Sequence, residues 1–274
     1  MKATGNLFRT LSIWLALAVA GFDAHAGREP LYEGLGSYSR NITTDSPEAQ
    51  RYFDQGLAFV HGFNHAAAIR AFQQAAELDP QCAMAHWGIA LANGPHINFL
   101  LVPPPAAELA WKELSLAKLH AAKASPVERG LIDALSKRYA NPQPEDRSPL
   151  DRAYADAMRE VWRKFPNDPD VGVFFAEAMM DLRPWDQWTP EGQPNPGTGE
   201  ILATLDAVLK RNPKHPFANP ISTFTPSNHR RIQSVRTQPP TVSAICSWAW
   251  PTTFTCRRTS TFAPAGGWKR SRPI

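Results

Sequence analysis

The sequence predicts an all-α fold made of stacked helical hairpins, and three observations support this fold class. Apolar residues recur at spacings of three and four in two runs, on either side of a break at residues 62–64. Further runs of this kind, separated by proline-containing turns, continue to about residue 211. No alternating strand pattern is present before Pro220. We therefore expect one helical domain over residues 46–219.

The first 26 residues have the parts of an export signal. Lys2 and Arg9 supply positive charge, residues 11–22 (LSIWLALAVAGF) are apolar, and the sequence Ala-His-Ala at 24–26 fits a cleavage site. The apolar run is short for a membrane span. We expect an exported chain, periplasmic or secreted, cleaved near Ala26 and without a stable membrane span. An uncleaved N-terminal anchor is the alternative.

A polar leader rich in Gly, Ser and Thr follows the signal, and we expect residues 27–45 to be flexible. Ser46 then predicts a helix start, because its hydroxyl can cap the helix and Pro47 suits the first helical position. The helical domain therefore begins at about residue 46.

The stretch RYFDQGLAFVHGFNHAAAIRAFQQAAELDP, residues 51–80, predicts two helices that end at Pro80. Small side chains let such helices approach closely, and large ones fill the space beside them. Small and large residues recur at Tyr52, Gly56, Phe59, Ala68, Phe72 and Ala75. This pattern resembles a tetratricopeptide repeat, and only Gln55 departs from it, because leucine is usual there. An ordinary αα-hairpin is the alternative.

The remaining helices are predicted from the same periodicity. A capping box at residues 125–128 and a proline-rich connector at 141–149 mark two of the boundaries. Helices are expected over residues 82–91, 106–124, 125–139, 150–164, 169–182 and 198–211.

Two longer strings resemble a more specific family. They are FNHAAAIRAFQQAAELDPQCAMAHWGIALANGPHIN at residues 63–98 and MMDLRPWDQWTPEGQPNPGT at residues 179–198. Both look like bacterial exported proteins that carry divergent tetratricopeptide repeats, and the resemblance extends over residues 52–219. It implies a TPR-like solenoid and an exported location, and it supplies no reaction.

The composition changes after residue 219. Residues 220–274 carry eight Lys or Arg and no Asp or Glu, which leaves 21 basic against 25 acidic residues before them. The domain is thus mildly acidic, so we expect no nucleic-acid partner. We also expect the tail to be disordered, since it is rich in Pro, Ser and Thr and lacks helical periodicity.

We interpret this tail as out of frame. When the third base of each codon is grouped with the first two of the next, PISTFTPSNHRRIQ can become HLYIHAVEPSPHP. In the same way TTFTCRRTSTFAPAGG can become HLHMPSHIYIRAGRW, and both new strings look like helical repeat sequence. A genuine proline-rich tail is the alternative. The nucleotide sequence around codon 220 distinguishes the two.

A concave groove is the usual binding face of such repeats. In the register above, this groove would be apolar and would suit an extended or helical peptide. Its lining would be Gln50, Phe53, Leu57, Val60, His61, Met84, Trp87 and Leu91. The alternative is that another helix of the same chain fills the groove.

Two other segments carry candidate ligand-binding residues. Cys82, His86 and His96 lie close enough in sequence for a metal site, although no paired-ligand motif is present, and capping or core roles are the alternative. The loop with Arg183, Trp185, Asp186 and Trp188 could recognise a ligand, or could be held by an ion pair between Arg183 and Asp186.

Three functions remain open from the sequence. The first is an exported helical-repeat scaffold that binds a protein or peptide. The second is an exported protein that binds a metal or cofactor through His and Cys, and this protein could be an enzyme. The third is a truncated product without function, which predicts low soluble yield. No P-loop, dinucleotide fingerprint or catalytic motif is present, so we name no catalytic residue and expect no cofactor.

Overall fold

A computed structural model describes residues 28–222 of the chain. The predicted export signal, and the predicted tail from residue 223 onward, lie outside the described residues. Within them the all-α prediction is confirmed, because helices alternate with turns and no strand is formed. The helices are α1 (Pro47–His61), α2 (His65–Leu78), α3 (Ala83–Ala92), α4 (Pro104–His120), α5 (Pro126–Leu135), α6 (Ser148–Lys164), α7 (Pro169–Asp181), α8 (Thr198–Arg211) and the short α9 (Ala218–Ser222).

Local sequence signals set several helix starts. The Ser46 hydroxyl accepts a hydrogen bond from the backbone N–H of Ala49 and so caps α1. Ser125 and Glu128 form the reciprocal hydrogen bonds of a capping box at the start of α5. Residues 121–123 add a 3₁₀ turn after α4. Both predicted caps are therefore confirmed.

Helix α5 ends earlier than its periodicity predicts. Its last residue is Leu135, whereas the sequence pattern extends to about residue 139. The next side chains turn inward: the Tyr139 hydroxyl donates to the carbonyl of Ala90, and Arg138 contacts Asp181. The chain leaves the helix through a tight turn, in which the N–H groups of Lys137 and Arg138 donate to the carbonyls of Ala134 and Leu135.

Helices that follow one another in the chain pack against each other, from α1 with α2 to α8 with α9. At the centre of the first two hairpins lies Phe72 of α2, which is fully buried. A Cβ atom at Gly56 of α1 would stand 2.5 Å from the Phe72 ring, and one at Gly88 of α3 would stand 2.6 Å away. The two glycines therefore allow α1 and α3 to close on this ring from both sides.

The leader from residue 28 to 45 lies along α1. Gln55 accepts a hydrogen bond from the backbone N–H of Tyr32 and donates to the carbonyl of Pro30, at 2.8 and 2.9 Å. Gln50 binds the leader in the same way, at Arg40 and Ile42. A leucine at position 55 could make neither bond to the leader. This explains the departure of Gln55 from the repeat pattern.

None of the helices between residues 28 and 222 combines the length and the apolar character needed to cross a bilayer. Helix α3 is the most uniformly buried, since all ten of its residues are inside. It is shorter than the roughly 20 residues that span a membrane, and neighbouring helices cover it. Its apolar character therefore serves the core.

Candidate functional site

The residues predicted to line a concave groove lie in the interior. Seven of the eight are buried and Gln50 is half-buried, the buried ones being Phe53, Leu57, Val60, His61, Met84, Trp87 and Leu91. The Trp87 ring meets the Phe174 ring of α7 edge to face at 5.5 Å, and its indole N–H donates to the Leu131 carbonyl of α5. Later helices of the same chain therefore cover Trp87. A ligand would have to displace α5 or α7 to reach this side chain.

Two of the three metal-ligand candidates, His86 and His96, have other partners in the described chain, and a metal site at these residues stays a prediction. Both ring nitrogens of His86 have partners, with Nδ1 2.7 Å from Glu113 Oε2 and Nε2 3.1 Å from the Pro80 carbonyl oxygen. His96 instead stacks on His65, with ring centres 4.0 Å apart. No cluster of three or more His, Cys, Asp or Glu between residues 28 and 222 is arranged to hold a metal ion.

The pKa shifts support structural roles for the same residues. Burial raises the pKa of the Cys82 thiol to about 11, so the thiol stays protonated and unreactive at neutral pH. Burial lowers the pKa of His86, but the hydrogen bonds to Glu113 and Pro80 and the charges of Glu113 and Asp79 together outweigh burial, so the net pKa is raised. Burial and the charges of His65 and Arg138 lower the pKa of His96 to about 4. The sequence could not separate these environments, because it does not show which groups meet.

The loop after α7 that contains Trp185 and Trp188 is stabilised by contacts among its own residues. The predicted ion pair is confirmed, with Arg183 Nη1 2.9 Å from Asp186 Oδ2. The side-chain amide of Asn195 also donates to Asp186. Trp188 pairs with Pro194 through the backbone, whereas 61% of the Trp185 surface is exposed. A ligand-binding role for this loop stays a prediction.

A buried group of charges, which we call the polar centre, lies where α5, α6 and α7 meet. It consists of Arg138, Asp151, Tyr154, Glu177 and Asp181. The Arg138 guanidinium contacts the Asp181 carboxylate, lies 4.5 Å from the Tyr154 ring centre and has its Nε 3.6 Å from Asp151. Glu177 is one helical turn before Asp181 and has no hydrogen bond to any described residue. Two carboxyl groups of α7 thus share one guanidinium.

This arrangement favours a protonated carboxyl group. Burial raises the pKa of Glu177, the neighbouring Asp181 raises it further, and Arg138 only partly opposes the shift. Burial likewise raises the pKa of Asp181 against the effect of Arg138. The pair can therefore hold a proton at neutral pH. Sequence periodicity missed this centre, because it counts apolar positions and ignores buried charges.

Replacing Glu177 by glutamine tests the stored proton. The raised pKa means that the Glu177 carboxyl binds more protons in the folded than in the unfolded state, so its contribution to the free energy of unfolding falls as pH rises above about 4.5. Glutamine cannot ionise. From pH 5 to pH 8, the free energy of unfolding of Glu177→Gln should therefore rise relative to that of wild type by about 1–2 kcal/mol. Urea denaturation at each pH measures it. The exposed control Glu191→Gln should show no such change relative to wild type. Parallel profiles of stability against pH for Glu177→Gln and wild type would show that Glu177 does not hold a proton at neutral pH.

A second polar group fixes the leader to the start of α7. We call it the leader clamp, and it consists of Arg40, Asp168 and Asp170. Arg40 binds Asp168 through two hydrogen bonds of 2.7 and 3.0 Å and also donates to Asp170 at 3.0 Å. Burial disfavours the charge on Asp170, but the His215 hydrogen bond and Arg40 lower its pKa to about 2. Ionised Asp170 and Arg40 therefore compensate each other. The clamp holds residues far apart in the sequence.

The hydrogen bonds of His215 define its tautomer. The backbone N–H groups of Phe217 and Ala218 both point at Nδ1, 3.2 Å away, so Nδ1 is an acceptor and the proton is on Nε2. That nitrogen faces Asp170 and is occupied as a donor. Beside it, burial lowers the pKa of His61 to about 4, and the neutral His61 ring stacks on Phe217. His61 therefore has a packing role, whereas His215 acts through its hydrogen bonds.

The one run of neighbouring large apolar side chains exposed among the described residues is the loop patch, Phe99, Leu100 and Leu101. Their exposed fractions are 51%, 38% and 73%. Reciprocal backbone hydrogen bonds between His96 and Phe99 close the turn that leads into the patch. Val102, the residue directly after the patch, is buried and anchors its other end. The backbone therefore holds the patch in place. In the sequence, the signal was an apolar run between two turns, which the periodicity of helices and strands does not detect.

Comparison of the chain with protein-family models, with curated proteins and with solved structures finds no match. A candidate surface is therefore assigned on geometry alone. The polar centre and the leader clamp are buried and compensate most of their own charge. The loop patch is apolar, exposed and held by its flanking residues, which makes it the best candidate for contact with another molecule.

Proposed function

We propose that the protein is an exported TPR-like scaffold that binds a protein or peptide. Helices stacked in chain order support the solenoid, as does the close fit of α1 and α3 around Phe72. The residues at 1–26 support export. In this proposal the contact surface lies outside the concave groove, because seven of the eight predicted groove residues are buried and α5 and α7 cover Trp87.

The observation that carries the proposal is the exposure of the loop patch. Three adjacent large apolar side chains in water are unfavourable, and contiguous patches of this kind mark contact sites in folded proteins. Because the turn at His96 and the anchor at Val102 hold the backbone, binding would cost little ordering entropy. A peptide with apolar side chains fits such a surface.

Binding can be measured with short fluorescent peptides in which leucine alternates with arginine, glutamate or serine. We expect at least one of these peptides to bind the full chain. The double variant Phe99→Ser/Leu101→Ser should raise the Kd of that peptide about tenfold. Leu119→Ser is the matched control, since Leu119 is 69% exposed but lies on α4 away from the patch. Unchanged affinity in the double variant, with its circular dichroism intact, would exclude the patch as the contact surface.

A further inference from the structure

A surface cleft of about 460 Å³ lies between the start of α4 and the connector that follows α5. Its walls are mainly proline and alanine, including Pro104, Ala107 and Pro142. The side-chain amide of Gln143 donates to the Val102 carbonyl at 3.0 Å and holds the connector against the loop. Leu101 and Pro104 are three residues apart, so the patch and the cleft lie within about 11 Å along the chain.

The charge of this cleft is negative. Glu108 of α4 and Glu145 of the connector line it, and none of its lining residues is Lys, Arg or His. Both carboxylates are exposed, and neither forms an ion pair with a described residue. The cleft therefore has acceptors that could bind a cation from outside.

We propose that the acidic cleft binds a Lys or Arg side chain of the same peptide whose apolar side chains contact the loop patch. This inference rests on the proposed peptide-binding function and names the chemistry of the partner. The aliphatic stem of Lys or Arg packs on proline and alanine walls, and its charged end meets Glu108 and Glu145. The partner is thus a segment in which a basic residue neighbours apolar ones.

The same features argue against other partners. Phosphate groups of nucleic acid or of an anionic membrane would be repelled by two unpaired carboxylates. An acidic peptide would be repelled as well. A basic, apolar peptide gains both apolar burial at the patch and charge complementarity at the cleft.

The experiment compares the leucine–arginine peptide with its leucine–glutamate counterpart by fluorescence anisotropy on the full chain. We expect the arginine peptide to bind more tightly and to lose affinity as salt is added. The double variant Glu108→Gln/Glu145→Gln should weaken its Kd about fivefold and reduce the salt dependence, because two partly exposed ion pairs are lost. Asp206→Asn, an exposed carboxylate on α8, is the matched control and should bind as wild type does.

Each contrary result has a definite meaning. Equal affinity for the arginine and glutamate peptides, or equal affinity of wild type and the glutamine double variant, overturns the acidic cleft while leaving the loop patch in place. If Phe99→Ser/Leu101→Ser abolishes binding and the glutamine double variant does not weaken it, the acidic cleft is likewise overturned and the loop patch is retained. Dimerisation that the glutamine double variant abolishes in sedimentation would assign the cleft to a second copy of the chain and overturn the peptide.

Discussion

Replacing Arg138 by methionine should lower the free energy of unfolding by about 3–5 kcal/mol, because it leaves a buried carboxylate without its partner. Only 2% of the Arg138 side chain and 1% of the Asp181 side chain are exposed. Methionine retains the apolar volume that packs on Tyr154 but provides no donor for Asp181. Urea denaturation followed by circular dichroism measures the loss.

Two comparisons isolate the charge effect. Arg163→Met removes an exposed pair with Glu160 and should change stability by no more than about 0.5 kcal/mol. Adding Asp181→Asn to Arg138→Met removes the uncompensated charge and should recover part of the loss. If Arg138→Met unfolds at the wild-type urea concentration, the polar centre does not depend on this ion pair.

The second large effect is expected from a single methyl group, since Gly88→Ala should cost about 1–3 kcal/mol. The new Cβ would stand 2.6 Å from the Phe72 ring, closer than carbon atoms can pack. Phe72 is fully buried and has little room to move, so α3 itself must shift away from α2. The midpoint of thermal unfolding should fall by several degrees.

The matched control for this substitution is Gly199→Ala. An added Cβ at Gly199 would have no neighbour within 4 Å. Alanine also has a higher helix propensity than glycine, so this variant should be at least as stable as wild type. Combining Gly88→Ala with Phe72→Leu should relieve part of the clash. Equal stability of Gly88→Ala and Gly199→Ala would show that α2 and α3 do not pack as closely as the structure has them.

The helices were largely predictable because their signals are local. Apolar spacings of three and four placed α7 and α8 to within a residue of their observed ends, and the hydroxyls of Ser46 and Ser125 marked two starts. The repeat pattern also included Gly56, one of the two glycines that lie against Phe72. Each signal acts over a few turns of helix, so the sequence contains it in full.

The candidate surfaces were not predictable in this way. A repeat register indicates that Trp87 points to the concave side, but the covering of that side by α5 and α7 depends on how later helices curve back. The proposed cleft needs the connector held on the α3–α4 loop by Gln143, a contact between residues about 40 positions apart. Such long-range contacts have no periodic signal.

Gln55 and Arg138 show the boundary between the two kinds of information. Leucine is usual at position 55 of the repeat, and the apolar periodicity predicts helix at position 138. At both positions the side chain instead binds a partner elsewhere in the chain. The sequence alone was sufficient for the all-α class, for the limits of α7 and α8 and for the two serine caps, since these depend on neighbouring residues. The filled groove, the buried charges and the exposed loop patch followed from packing, because burial depends on what the rest of the chain places alongside.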